Sequence, residues 1–420
     1  MMKQSKRVLR ALVALGTAIL AASTASAQKS DLFVIEGRAG PVTQTGGDHN
    51  VVDLLQGFIE LDRSRGWGLL VGFFGFTGTL NYIGVPDALL IDVTDNATKL
   101  TLAIPSTGKV QVFSGANLGD LSGQIESWFK SAGADDWADF LRAMNGLSPL
   151  ALLSGNPKST VALMGDSAYR KFGFDDSHSR MGFNQTVKRW GGFELRVDAA
   201  VSTVNTATFT DDLWTFDPSI TLAGEFGRHV GLSFSLMGQY RSYDGAQLAD
   251  LGAELALPIT LRRPDQGPYF WQITPFIQAA GGVSVDFAAG GLLLGGGLVN
   301  ALGWNHGPFE VLMSNEIAYY GGLPIDDIGG YDFATELSQL YFKNGLEGTW
   351  WIGKGFYADA GVHFTNFALD AAAVSWFATP TVGLGWEAGR WIDLRLAYEA
   401  DLSTDDYRAH NLQLKLDFLF

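Results

Sequence analysis

The 420-residue sequence contains no cysteine. Disulfide bridges and metal sites with thiolate ligands are therefore excluded, so the fold must hold by other means. After the first 30 residues no stretch comes near 18 uninterrupted apolar residues, and we predict no transmembrane helix in the mature chain. Basic residues are few as well, with 29 Lys and Arg against 44 Asp and Glu. Such an acidic chain is poorly suited to bind nucleic acid, whereas cations and neutral solutes suit it better.

The N-terminus is typical of a secretory signal peptide. Four basic residues, Lys3, Lys6, Arg7 and Arg10, precede the apolar run "ALVALGTAILAA", and small residues at positions 25–27 precede Gln28. This order of basic, apolar and small residues predicts a signal peptide over residues 1–27. The protein is then exported without a helical anchor.

The last ten residues, "NLQLKLDFLF", alternate between apolar and polar side chains. In a strand this places Leu412, Leu414, Leu416, Phe418 and Phe420 on one face and the polar residues on the other. Similar segments recur from about residue 190, in "FELRVDAAV" and "WTFDPSITLAGEF", and begin near Val230, Ala249, Tyr269, Leu292, Phe309, Leu340, Phe356, Trp376, Trp391 and Asn411. The sequence therefore contains twelve such segments.

The connectors between these segments indicate a membrane barrel. Tight connectors at 227–229, 262–268, 304–308, 353–355 and 387–390 alternate with longer, acidic ones such as "DLSTDDYRAH". Tryptophans fall near segment ends, as in an aromatic girdle: Trp214, Trp271, Trp304, Trp350, Trp376, Trp386 and Trp391. We predict a mainly β fold, a transmembrane antiparallel up-and-down β-barrel of about 12 strands in the outer membrane of a Gram-negative bacterium. Outer-membrane lipid, lipopolysaccharide and the outer-membrane assembly machinery are then its partners, and the C-terminal Phe418 and Phe420 resemble the signal that this machinery recognises.

The opposite face of each strand should line the lumen. The sequence places twelve acidic and five basic residues there, which favours cations if the lumen is open. The predicted lumen residues are Glu194, Arg196, Asp198, Asp217, Glu225, Glu254, Glu310, Glu316, Lys343, Glu347, Asp359, His363, Asp393, Arg395 and Glu399. Alternatively, these charges pair with each other and fill the interior.

A different pattern precedes the barrel. Residues 87–114 predict two or three short strands, and two amphipathic helices follow, with apolar faces formed by Leu121, Ile125, Trp128, Phe129 and by Trp137, Phe140, Leu141, Met144. We predict a small α+β domain over residues 28–177 and the barrel over 178–420. If the segment at 53–76 is instead a membrane hairpin, "DLFVIEGRAG" and "RMGFNQTV" become wall strands too, and the barrel has 14–16 strands.

The motifs "IPSTG", "VFSGA" and "SGNPKS", followed by "WQITP", "GGVSVD", "MSN" and "LYFKNGL", resemble a largely uncharacterised group of Gram-negative outer-membrane proteins. In that group a small soluble domain precedes a C-terminal barrel. The resemblance covers residues 87–420, and its motifs are turn and wall residues. It implies a location and a fold, and no known activity.

Three functions fit this organisation, and the sequence favours the first of them over the other two. The first is a pore or transporter for small cationic or neutral solutes, with an acidic lumen. The second is an autotransporter-like translocator. Against it, the sequence lacks the repetitive β-solenoid pattern of most passengers and has no clear helix immediately before residue 191. The third is a surface-exposed adhesion or structural protein anchored by its barrel.

The sequence favours a protein without enzymatic activity. An omptin-like rim of Asp405, Asp406 and His410, with Asp326 and Asp327 in another loop, or a phospholipase-like wall site is the enzymatic alternative. No metal-ligand spacing and no phosphate-binding glycine loop appears, so we predict no cofactor.

Overall fold

The computed structural model describes residues 33–48, 75–94, 98–130, 133–175, 192–206, 210–226, 229–243, 246–263, 267–284, 289–323, 325–328, 331–333, 337–388, 392–404 and 407–419. Across these ranges, no helix has the length and apolar character needed to cross a membrane. The predicted signal peptide, most of the hairpin alternative (53–74) and the segment "RMGFNQTV" lie outside the described residues. So do the predicted domain boundary at 177/178 and Phe420.

The N-terminal domain contains a six-stranded antiparallel sheet and two helices. Its strands lie in the order β2-β1-β3-β4-β5-β6. Their bounds are β1 Phe33–Ala39, β2 Val42–Asp48, β3 Phe76–Tyr82, β4 Val85–Val93, β5 Lys99–Ile104 and β6 Lys109–Ser114. Helices α1 Leu118–Lys130 and α2 Ala134–Leu147 follow, which confirms the predicted α+β character.

The core of this domain lies between the sheet and the helices. Tyr82 of β3 contacts Phe33 of β1 and Phe140 of α2, each with ring centroids 5.0 Å apart. The predicted helix faces are buried, with Leu121, Ile125 and Trp128 on α1 and Trp137, Phe140 and Met144 on α2. Burial of these stripes fixes both helices against the sheet.

The barrel wall consists of twelve antiparallel strands. They are β7 Gly192–Asn205, β8 Thr210–Phe226, β9 Val230–Tyr243, the interrupted strand of β10 Ala246–Ala256 and β11 Ile259–Arg262, β12 Tyr269–Ser284, β13 Ala289–His306, β14 Phe309–Leu323, β17 Ser338–Gly353, β18 Phe356–Leu369, β19 Trp376–Ala388, β20 Ile392–Leu402 and β21 Arg408–Leu419. Strand β21 pairs with β7, with Leu412 opposite Val201, and this pairing closes the barrel. The prediction of twelve strands is confirmed.

The alternative with 14–16 strands is wrong. Strand β1, which comes from "DLFVIEGRAG", pairs with β2 and β3 in the separate sheet of the N-terminal domain. The longest connection of the barrel adds only a small hairpin of its own, β15 Ile325–Ile328 and β16 Tyr331–Phe333.

Side chains of the wall alternate between an apolar outer face and a polar inner face. On β14 the outward residues Phe309, Met313 and Ile317 are exposed, whereas Glu310 and Glu316 are buried. Aromatic rings stack near one end of the wall, in the pairs Phe309–Trp350 and Phe356–Trp386. An exposed apolar band on a closed sheet is stable only against lipid, and the protein is therefore an outer-membrane β-barrel.

The two ends of the barrel differ. One end, which we call the turn end, carries two-residue connections such as Lys354 and Gly355, whose φ angles of 57° and 82° suit a tight hairpin. The other end, the domain end, carries the longest connections and contacts the N-terminal domain. There Ala373 donates to the carbonyl of Asn145 at 2.8 Å, and Arg142 pairs with Asp370 at 2.9 Å.

Candidate functional site

The lumen contains a part of the chain itself, residues 148–175, which we call the internal segment. It continues from α2 through a run of turns into α3, Thr160–Tyr169, and a π-helical end, Arg170–Asp175. Ser159 caps α3, because its Oγ accepts a hydrogen bond from the amide of Ala162. Of residues 148–174, 20 are buried, seven are half-buried and none is exposed.

The internal segment runs from the domain end toward the turn end. At the domain end, Ser154 donates to the side chain of Gln339, the second residue of β17, at 2.8 Å. Farther along, Phe174 lies in an apolar cluster with Phe270, the second residue of β12 at the turn end. The chain thus enters the lumen at the domain end, whereas Phe174 and the start of β7 at Gly192 lie toward the turn end.

Four ion pairs join the internal segment to the wall. Lys158 contacts Asp401 at 3.0 Å and Lys171 contacts Glu254 at 3.1 Å, while Arg170 contacts Glu399 and Asp166 contacts Lys343. The side chains of Lys171 and Glu254 are only 6% and 1% exposed. Three cations of the segment therefore compensate acids of a wall that holds more acids than bases.

Further ion pairs lie within the wall. Arg395 binds both oxygens of Asp359, at 3.0 and 2.5 Å. Arg196 contacts Asp417 at 2.9 Å, and Arg241 contacts Asp250 at 2.8 Å. The last two pairs join neighbouring strands, whereas Arg395 on β20 reaches Asp359 on β18 across β19. These charges therefore also hold the strands together on the inner face.

One side of the internal segment packs closely against β12, β13, β14, β17 and β18. Tyr169 lies 3.2 Å from Nδ1 of His363, and Ser314 donates to the carbonyl of Gly173 at 2.8 Å. Gly165 lies against the ring of Tyr341, where an added Cβ would come within 2.5 Å of a ring carbon. Only a glycine allows this approach of helix and ring.

The opposite side of the lumen is not filled. A cavity of about 140 Å³ lies between the internal segment and strands β7 to β10. The wall here bears small and polar side chains, among them Ala200, Ser202, Thr215, Ser219, Thr221 and Ser235. Such a lining is compatible with water and small polar solutes.

The predicted lumen residues have different surroundings. Seven take part in the ion pairs given above: Arg196, Glu254, Lys343, Asp359, Arg395, Glu399 and, through Arg196 at 3.1 Å, Glu194. Asp198 and Asp217 are register partners beside the cavity. Asp393 accepts from Tyr357, Glu310 accepts from Asn305, and Glu347 lies 4.0 Å from His363.

The remaining predicted residues include one unusual case. Glu316 is 3% exposed, and neither carboxylate oxygen accepts a hydrogen bond from the described residues. The side chain of Glu225 lies outside the described residues. Phe418, predicted as part of the assembly signal, lies on β21 opposite Ile392 of β20.

Sequence reasoning missed the internal segment and its charged residues Lys158, Asp166, Arg170 and Lys171. It placed this stretch within the small α+β domain of residues 28–177. Two signals were present: the cap at Ser159, and the excess of acids over bases on the predicted inner face. An excess of buried acids favours pairing with cations from elsewhere in the chain.

The alternative of an enzymatic rim has little support in the described residues. His410 lies 2.7 Å from the hydroxyl of Tyr398, an exposed residue of the outer face, and Asp405 and Asp406 lie outside the described residues. No group of three or more His, Asp or Glu side chains in the described ranges could hold a metal ion.

No family model matches the sequence, and no curated protein matches it. Similar solved structures include the translocator domain of the autotransporter NalP from Neisseria meningitidis, with 13% identity, a TM-score of 0.41, and coverage of 62% of this chain and 98% of that chain. An outer-membrane channel from Pseudomonas putida F1 has 14% identity, a TM-score of 0.44, and coverage of 57% and 99%. The NanC porin has 10% identity, a TM-score of 0.34, and coverage of 53% and 98%. At these TM-scores the assignment rests on the geometry of the wall: this is an outer-membrane β-barrel protein with an N-terminal α+β domain.

Proposed function

We propose that the barrel is an anchor that carries the N-terminal domain on the outer surface of the cell, in the manner of an autotransporter translocator whose passenger stays attached. The observation that carries this proposal is the internal segment, which occupies the lumen and links a domain at one end to the wall at the other. The space left beside the segment is a cavity of about 140 Å³, so we expect no steady passage of solutes of the size that a porin admits.

The orientation follows from the connections. In outer-membrane barrels the short turns face the periplasm and the longer loops face outward. The longest connection, 324–337, lies at the domain end, and the two-residue connections 307–308 and 354–355 lie at the turn end, which supports a periplasmic turn end. The two-residue connection 244–245 at the domain end departs from this pattern. The N-terminal domain at the opposite end is then outside, and the internal segment is the chain left in the lumen after the domain has crossed the membrane.

Several contacts favour a permanent attachment. A single apolar cluster includes residues of the domain, such as Tyr82, of the internal segment, such as Leu152, and of the wall, such as Phe377. Together with the four ion pairs, this continuity holds the domain against the barrel. The predicted lumen charges serve here to hold the segment.

An epitope tag tests the orientation in intact cells. A tag inserted before Phe33 should bind antibody on intact cells, because it lies on the domain. The same tag inserted between Lys354 and Gly355 should bind only after the outer membrane is permeabilised. The reverse pattern would place the domain in the periplasm and refute the proposal.

A second function has one specific observation in its favour. Acids such as Asp217 and Glu254 line the cavity beside β7 to β10. A cation-preferring pore would use this sector if the internal segment moved. Planar-bilayer recordings of the full protein separate the two functions, since the anchor predicts no steady conductance and the pore predicts a cation-selective one.

A further inference from the structure

Three asparagines form a row on the lipid-facing side of the wall. Asn300 on β13 lies directly opposite Asn315 on β14, which lies directly opposite Asn344 on β17. Asn344 is exposed, and the other two are half-buried. The row thus crosses three adjacent strands, and each asparagine is in register with the next.

The row lies within the apolar band. Asn315 is six residues from Phe309 at the turn end of β14 and four from Tyr319 toward the domain end. At about 3.3 Å per residue, it is roughly 20 Å along the strand from Phe309. The exposed apolar neighbours on these strands are Leu298, Met313, Ile317 and Leu346.

Amides in this band need partners, because lipid tails offer neither donors nor acceptors. Asn300 has one partner, since its Oδ1 accepts a hydrogen bond from the indole of Trp271 at 2.9 Å. The side chains of Asn315 and Asn344 have no hydrogen bond to any described residue. The row therefore presents unsatisfied amides to the membrane.

We propose that β13, β14 and β17 form a lateral interface with a second copy of this protein, centred on Asn315. A carboxamide is complementary to itself, because each donates through its nitrogen and accepts through its oxygen. A two-fold axis along the membrane normal brings the two Asn315 side chains together, and the same patch serves both copies. Hydrogen bonds between polar side chains of this kind stabilise association inside membranes.

The absence of cysteine makes the test direct. Asn315→Cys should form a disulfide-linked dimer when outer membranes that contain the full protein are oxidised. Ile220→Cys on β8, six residues from the turn-end residue Phe226 and on the far side of the barrel, is the matched control and should stay monomeric. Equal cross-linking of both variants, or cross-linking of Asn315→Cys to a different protein, would each overturn the proposal. If Asn315→Cys forms no cross-link, the leucine variant below decides.

A second variant covers failure of the disulfide geometry. Replacing Asn300, Asn315 and Asn344 together by leucine should leave barrel folding intact, as judged by heat-modifiable migration, because leucine suits the lipid face. In vesicles, energy transfer between labelled copies should show a dimer dissociation constant about tenfold higher or more. An unchanged constant would overturn the role of the row.

Discussion

Replacing Lys171 by methionine removes a cation that holds the internal segment in the lumen. The Lys171 Nζ lies 3.1 Å from Glu254, both side chains are almost fully buried, and the same nitrogen donates to Ser235. Loss of one partner of such a pair typically costs about 3–5 kcal/mol, because the other charge stays buried. Glu254 keeps the hydrogen bond from Gln278 at 2.7 Å, so we expect a value of about 3 kcal/mol.

That free energy corresponds to about a hundredfold rise in the fraction of molecules whose segment has left its place. In planar bilayers, Lys171→Met should therefore open about a hundred times more often than the unaltered protein. The opening frequency of the double variant Lys171→Met/Glu254→Gln should fall most of the way back to that of the unaltered protein, because this variant leaves no uncompensated charge. Arg142→Met is the control: the Arg142 side chain is 43% exposed in its pair with Asp370, and its loss should cost about 1 kcal/mol or less and open nothing. Identical traces for Lys171→Met and the unaltered protein would refute the reasoning.

Three further predictions concern packing, assembly and selectivity. Gly165→Leu should destabilise the folded barrel by about 1–3 kcal/mol, because its side chain collides with the ring of Tyr341; an unchanged heat-modifiable transition on gels would contradict this. Deleting Phe420 should reduce the amount of barrel assembled in the outer membrane, and normal assembly in membrane fractions would remove it from the sorting signal. In the Lys171→Met background, Glu310→Gln with Glu316→Gln should lower the cation preference of open events, measured by reversal potential in a salt gradient; an unaltered potential would exclude both residues from the filter.

The wall could be predicted from sequence because lipid imposes a strict two-residue period. Phe309, Met313 and Ile317 face the membrane and Glu310 and Glu316 face inward, as the alternation of β14 requires. The helices α1 and α2 were predicted for a similar reason. Each buries only one stripe, and this leaves a 3.6-residue period in the sequence.

The internal segment could not be found in the same way. Helix α3 is buried on most of its surface, so it has no polar stripe to set a period. Its ionic partners are far away in sequence, and Arg170 and Glu399, for example, are 229 residues apart. Such pairs depend on strand register and on the path of the chain through the lumen, and a local pattern contains neither.

The measurement that tests the central claim most directly is a cross-link between the internal segment and the wall in native outer membranes. Gly173→Cys and Ser314→Cys together place two thiols where Ser314 now donates to the carbonyl of Gly173, in a chain without other cysteines. If the segment occupies the lumen, mild oxidation should link the two residues in nearly all molecules, and neither single variant should change its migration on a denaturing gel. Two cysteines that stay unlinked and react freely with a thiol reagent, in a barrel that is correctly folded, would contradict an occupied lumen.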